Sequence, residues 1–162
     1  MGLHDDSLTG FNGLNTVTTL FVIFEIAKAL RFIHQLYVVH LDVKPANILI
    51  AVDREELEAI SLTNPTRTGI IKLGDFGISK KFDQGPVATC GTLSYMAPEC
   101  FLSDSLATPC KADVWSLGVT ACELLKGCYL FGTCDESEVM ELIVGWGDPD
   151  GLTPFRGACH SL

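Results

Sequence analysis

Asp42, Lys44 and Asn47 share one short stretch, His40-Leu41-Asp42-Val43-Lys44-Pro45-Ala46-Asn47, and a second carboxylate follows in Gly74-Asp75-Phe76-Gly77. Together they supply two carboxylates, one ammonium and one carboxamide, flanked by the apolar runs Ile48-Leu49-Ile50 and Ile70-Ile71. Transfer of a phosphoryl group from a nucleotide needs such a set. A carboxylate takes the hydroxyl proton, a cation offsets charge on the phosphoryl, and two hard oxygen ligands hold magnesium. Taken singly, Asp42 reads as well as a turn former and Asn47 as a cap; their joint spacing around Lys44-Pro45 favours a site.

Further motifs follow in order: Tyr95-Met96-Ala97-Pro98-Glu99 and Asp113-Val114-Trp115-Ser116-Leu117-Gly118. With these four, the chain resembles the C-terminal lobe of a eukaryotic protein kinase. The resemblance implies a mainly α fold with a small β-hairpin, the lower lobe of a bilobal enzyme with its N-lobe absent. It implies ATP and Mg2+ as cofactors and a protein substrate, with Asp42 accepting or orienting the proton of the substrate hydroxyl and Lys44 lying against the transferring phosphoryl. Asn47 and Asp75 would hold magnesium, Leu49 would floor the adenine site, and the Thr92 hydroxyl would touch Asp42 and Lys44. Asp113 would be structural, reaching the backbone near His40 and Leu41. His40 and Phe76 would pack.

Lys44-Pro45 and Gly91-Thr92 resemble the serine/threonine kinases. Leu41 departs from the pattern, since the family usually has arginine there, paired in many relatives with a phosphorylated residue of the activation segment. Leucine cannot make that contact, so a phosphate on Thr89 or Thr92 is not expected to switch the protein on by that route. The stretch His40 to Asn47 with Lys72-Leu73-Gly74-Asp75 is similar to the Wee/Myt-type kinases, whereas Gly91-Thr92-Leu93-Ser94-Tyr95 has the ordinary serine/threonine form.

The elements that must position these residues can be read from spacing. Residues 1–15, with three glycines and two asparagines, read as a loose lead-in. A helix is predicted over Thr16 to Tyr37, with Leu20, Phe24, Ala27, Leu30, Ile33 and His34 as one stripe. Ile48 to Val52 and Ile70 to Leu73 read as buried strands. The polar stretch 53–68 between them, with a turn signal at Asn64-Pro65, reads as an inserted surface loop, although Glu55 to Ile60 could form a helical turn or two. A helix from Lys111 would bury Val114, Leu117, Gly118, Ala121, Leu124 and Leu125. Glu136 to Val144 reads as another. The kinase-like region is thus 16–144, followed by an irregular tail, 145–162.

The composition bounds the rest. A chain of 162 residues, 48% hydrophobic and 19% charged, is one domain of ordinary globular composition. A net charge of -9 argues against nonspecific nucleic-acid binding. Seven cysteines, none in a Cys-x-x-Cys pair, read as scattered thiols in a reducing compartment, and Cys122, Cys128 and Cys134 have no histidine at ligand spacing. His4 and His160 carry no signal. Met1 to Gly10 lacks a secretory pattern, and Asp6 stands where Met1-Gly2 myristoylation wants Ser or Thr. The run Leu20 to Phe24 is broken by Glu25 and Lys28, so no bilayer span is expected. These readings describe a soluble intracellular chain in cytoplasm or nucleus.

No glycine-rich loop precedes the catalytic stretch and no lysine stands in a Val-Ala-x-Lys strand; Lys28 falls inside the predicted helix. Gly145-Trp146-Gly147 with Gly151 lies in the wrong place for a phosphate loop. In the family Glu99 pairs with an arginine from later helices, and Arg156 comes early for that role. The expectation is a nucleotide site without its upper clamp: ATP bound weakly at best, apolar surface exposed where an N-lobe or docking partner would sit, and a stability cost if Glu99 is buried unpaired. A noncatalytic kinase-like scaffold is the alternative, which the intact Asp42, Lys44, Asn47 and Asp75 disfavour.

Overall fold

The helix predicted from Thr16 spans Thr16–Gln35 in the computed structural model, and its start is set by Asn15, whose side chain accepts the Thr18 N–H (2.9 Å). Residues 6–145 are described except 12, 65, 66, 68, 84, 103, 104, 107, 133 and 134. His4, Cys134, Arg156, His160, Pro65, the Gly145-Trp146-Gly147 run beyond its first residue, and the tail 146–162 therefore lie outside the described residues.

In chain order the elements are β1 (Asp6–Ser7), α1 (Thr16–Gln35), β2 (Val38–Val39), β3 (Ile48–Ile50), α2 (Arg54–Thr63), β4 (Ile71–Leu73), β5 (Lys80–Lys81), β6 (Val87–Ala88), α3 (Glu99–Leu102), β7 (Ser105–Leu106), α4 (Pro109–Lys126) and α5 (Glu136–Gly145). The fold is helix-rich with small antiparallel sheets. β3 pairs with β4, Ile48 opposite Leu73 and Ile50 opposite Ile71, and β1 adds to the other edge of β3. β2 pairs with β5 and β6 with β7.

The buried face of α1 differs from the predicted stripe. Leu30 and Ile33 are inside, but Leu20 and Phe24 are 62% and 60% exposed and Ala27 faces out; Thr18, Val22 and Ile26 are buried instead. This helix is apolar around most of its circumference, so its periodicity alone does not choose a side. The choice is made by α4, α2 and β4, which pack against it. Thr18 goes inward because its hydroxyl meets the Ser61 hydroxyl of α2 (2.8 Å), which satisfies two buried polar groups at once.

That contact corrects the reading of 53–68 as a solvated loop. Arg54–Thr63 is a ten-residue helix capped by Asp53, whose carboxylate accepts the Glu56 N–H (2.8 Å), with Leu57, Ile60 and Ser61 buried. Its charged outer face hid a short apolar inner face. The lead-in is also structured from Asp6 onward: Leu8 and Leu14 are buried in the main core, and the Leu14 N–H bonds the Leu124 carbonyl (2.8 Å).

α4 begins at Pro109, at a position where a missing N–H costs nothing, and ends at Gly127 in the left-handed region (φ 73°). Leu117 and Leu124 point inward as predicted, whereas Val114, Gly118 and Leu125 are exposed. Val114, Trp115 and Gly118 line an apolar groove of about 560 Å³ with Leu130 and Phe131. Glu99 lies on that groove and is exposed, so the burial cost foreseen for it does not arise. No described helix is long and apolar enough to cross a membrane.

Leu57 is fully buried, so Leu57→Ala should lower the unfolding free energy by about 2–5 kcal/mol in a denaturant titration. A loss within the range of an ordinary surface substitution would return this segment to a loosely attached loop.

Candidate active site

The loop that carries the predicted site residues begins where β2 ends. His40 is fully buried and its Nε2 lies 2.8 Å from the Gly74 carbonyl, linking the loop to the segment that precedes Asp75. The Phe76 ring meets His40 edge-on, with centroids 4.9 Å apart. Asp113 of α4, also fully buried, accepts the His40 N–H at Oδ2 (2.9 Å) and the Leu41 N–H at Oδ1 (2.8 Å). Between those two bonds and Asp42 the backbone takes a left-handed turn, with Leu41 at φ 68°. A non-glycine residue there costs on the order of 1–3 kcal/mol, which the Asp113 bonds offset.

Asp42 is the centre of the cluster. Its Oδ1 accepts the Thr92 hydroxyl (2.6 Å) and the Thr92 N–H (3.1 Å), and its Oδ2 accepts Lys44 Nζ (2.8 Å) and Asn47 Nδ2 (2.9 Å). Lys44 Nζ also donates to Thr92 Oγ1 (2.6 Å). Burial alone pushes the Asp42 carboxyl upward, but the hydrogen bonds from Lys44, Thr92 and Asn47, with the charge of Lys44, outweigh it and bring it below its ordinary range. Asp42, Lys44, Asn47 and Thr92 are therefore brought together by direct contact.

Asn47 sits in a single 3-10 turn, Pro45–Asn47, that leads into β3. One hydrogen of its amide goes to Asp42 Oδ2 and the other to the Asp42 carbonyl (2.8 Å), which leaves Oδ1 as the atom that can serve a cation. The Asn47 carbonyl accepts the Gly74 N–H (2.8 Å), so Asp75 begins one residue beyond a bond to Asn47. Asp75 is exposed, takes a left-handed backbone (φ 55°), and accepts the Gly77 N–H (3.1 Å). An amide oxygen and an exposed carboxylate on adjoining segments are a donor set of the hard kind that magnesium takes. Leu49 is half-buried and lies against Gly74, where a Cβ would come within 3.1 Å of its Cδ1.

The segment after Asp75 is clipped at several places. β5 pairs with β2, and the Phe82 N–H bonds the Tyr37 carbonyl (3.0 Å). β6 pairs with β7, Val87 opposite Leu106. Leu41 is buried in one apolar cluster with Val87, Leu106, Ala97 and Cys100, so the departure noted in the sequence has a structural use: the side chain packs under this segment. Gly91 passes so close to Leu41 that a Cβ would come within 2.4 Å of the Leu41 carbonyl oxygen, and its φ is 135°. Only glycine fits, and it delivers Thr92 to Asp42.

Two residues given no site role from the sequence support this arrangement. By spacing His34 falls on the apolar stripe of α1, yet its Nε2 lies 2.7 Å from Asp113 Oδ2. Ser116 donates from Oγ to the Tyr95 carbonyl (2.7 Å) in the interior. The available signal was a polar residue at an inward helical position, which spacing alone did not connect to a partner.

A fold in which a buried aspartate on α4 holds the backbone of the loop before Asp42 belongs with the sequence matches: the family model described as protein kinase domain covers residues 6–145. The chain belongs to the protein kinase domain family. It is 35% identical over 134 residues to the human SNF-related serine/threonine-protein kinase, covering 82% of this chain and 16% of that protein. It is 34% identical over 153 residues to Sporulation-specific protein 1 of Saccharomyces cerevisiae, covering 93% of this chain and 28% of that one. Similarity to the Wee1-like protein kinase of Arabidopsis thaliana is 38% over 108 residues, covering 67% and 18% of the two chains. The chain thus spans less than a third of the length of each of these relatives.

Because the folded Asp42 carboxyl is depressed, its contribution to stability is present above the ordinary value of 3.8 and is lost as pH falls through the folded value. Carboxyl NMR titration should place the Asp42 midpoint below 3.8, and Lys44→Met should raise it. An unchanged midpoint in that variant would refute the contact. Gly91→Ala should displace Thr92 and also raise the Asp42 midpoint, since it removes two donors at once.

Proposed function

We propose that this chain is the C-terminal lobe of a protein serine/threonine kinase, which transfers the terminal phosphoryl of ATP to a serine or threonine hydroxyl of a protein substrate. The observation that carries the reading is the convergence of Lys44, Asn47 and Thr92 on the Asp42 carboxylate. The donors on this carboxylate fix its orientation and favour its ionised form at neutral pH. Asp42 then orients the substrate hydroxyl and takes its proton late, as the oxygen becomes acidic in forming the new bond, because a depressed pKa makes it a weak resting base. Lys44 supplies positive charge beside the position where phosphoryl oxygens gather.

Magnesium, when bound, offsets the charge of the triphosphate. Asn47 Oδ1 and the exposed Asp75 carboxylate are the groups assigned to hold it, and Leu49 is assigned the apolar floor under the adenine. An N-lobe would supply the remaining nucleotide contacts. The apolar anchoring of Leu41 against Val87 supports an activation segment held without phosphate.

A magnesium-dependent ATP titration on this chain and on a version extended at its N-terminus tests the reading. The extended protein should bind, the short chain should bind weakly, and Asp75→Ala should abolish binding in both. Tight binding by the short chain that survives Asp75→Ala would overturn the assignment. In the extended protein, Thr89→Ala should leave phosphoryl transfer unchanged; loss of an otherwise robust activity would show that a phosphate there is required.

A further inference from the structure

We propose that the apolar groove beside α4 is a self-association surface, covered in solution by the same face of a second copy of this chain. The groove, about 560 Å³ in volume, carries two opposite charges, Glu99 from α3 and Lys111 from the first turn of α4. Both are exposed, and neither has an ion-pair partner among the described residues. A cation in the first turn of a helix faces the positive end of the helix dipole, so Lys111 gains nothing from its own element. A carboxylate brought from outside offsets both.

The face also has the shape for pairing with itself. Lys111, Val114, Gly118, Cys122 and Leu125 follow at steps of three and four residues and form one stripe along α4. Val114 is 62% exposed, and Leu102, one turn after Glu99, is 72% exposed; these are the projections. Gly118 is the hollow, since a Cβ built there meets nothing within 4 Å. Glycine in the middle of a helix weakens it, and within one copy no neighbour requires it here. A group packing in from another molecule supplies that requirement.

In an isologous pair each residue of the patch meets a residue of the same patch, and the contact is repeated across the axis. A two-fold axis between Glu99 and Lys111 therefore makes two ion pairs, Glu99 of each copy with Lys111 of the other. Val114 and Leu102 of each copy then fill the apolar floor beside Gly118 of the other and leave water. A partner of one charge sign would satisfy one of the two rim residues, whereas a second copy satisfies both. None of these residues belongs to the Asp42 cluster, so the nucleotide assignment and this pairing fail separately.

Sedimentation velocity over a concentration series is the test. The chain should pass from monomer to dimer by about 100 μM, with no larger species. Gly118→Leu fills the hollow and favours the helix, so it should weaken the dimer about tenfold or more while thermal unfolding of the dilute monomer is unchanged or raised. Glu99→Lys and Lys111→Glu should each weaken the dimer about tenfold or more, because each sets like charges against one another twice. An equimolar mixture of those two variants should recover association to within about threefold of the original, since both contacts in the mixed pair are again between opposite charges. Occupation of the groove by another segment or another protein would leave the chain monomeric, and that result would overturn the proposal. So would open-ended growth, a dimer indifferent to Gly118→Leu, or no recovery on mixing.

Discussion

A buried anion at Asp113 is the constraint from which the site follows. A carboxylate with no access to water is tolerable only with its lone pairs filled, and here two backbone amides and an imidazole fill them. Immediately after those two amides the chain turns left-handed at Leu41, so the bonds to Asp113 anchor the backbone at the point where the strained turn begins. The turn aims Asp42 away from the core and toward the segment carrying Thr92. Because Asp113 is on the helix that α1 packs against, the packing of the two helices and the aim of the Asp42 carboxylate are one problem.

The second layer is the contact between the loop and the segment that follows Asp75. β2 with β5, and β6 with β7, hold the segment by short ladders of two residues each, weak on their own. The apolar cluster around Leu41, Val87 and Leu106 joins them into one unit. Leu41 makes its contact through apolar packing alone. Gly91 completes the fit, since the approach to the Leu41 carbonyl leaves no space for a side chain.

The site was more legible than the scaffold. Asp42, Lys44, Asn47 and Thr92 could be named from motif spacing because each has a chemical type that the others require, and the structure joins them by hydrogen bonds. α1 could be placed but not oriented: Phe24 and Leu20 are as apolar as Val22 and Ile26, and only the approach of α2 and α4 separates them. α2 shows in the sequence only as a helical turn or two within a loop, because three buried residues among charged ones make a faint pattern against the loop-like composition around it. His34 was misread for a related cause, since its partner lies far along the chain on another helix.

By itself the sequence determined the chemical set, its order, and the loop and strands that carry it, because these depend on residue type and near spacing. It also determined that Leu41 could form no ion pair. Tertiary structure decided which face of α1 is inside, that 54–63 is a packed helix, that Glu99 is exposed, and that His34 serves Asp113. The physical reason is common to all four. Burial and hydrogen-bond partnership are properties of pairs of elements brought together in space, and a polar or apolar residue read alone does not reveal which neighbour will meet it.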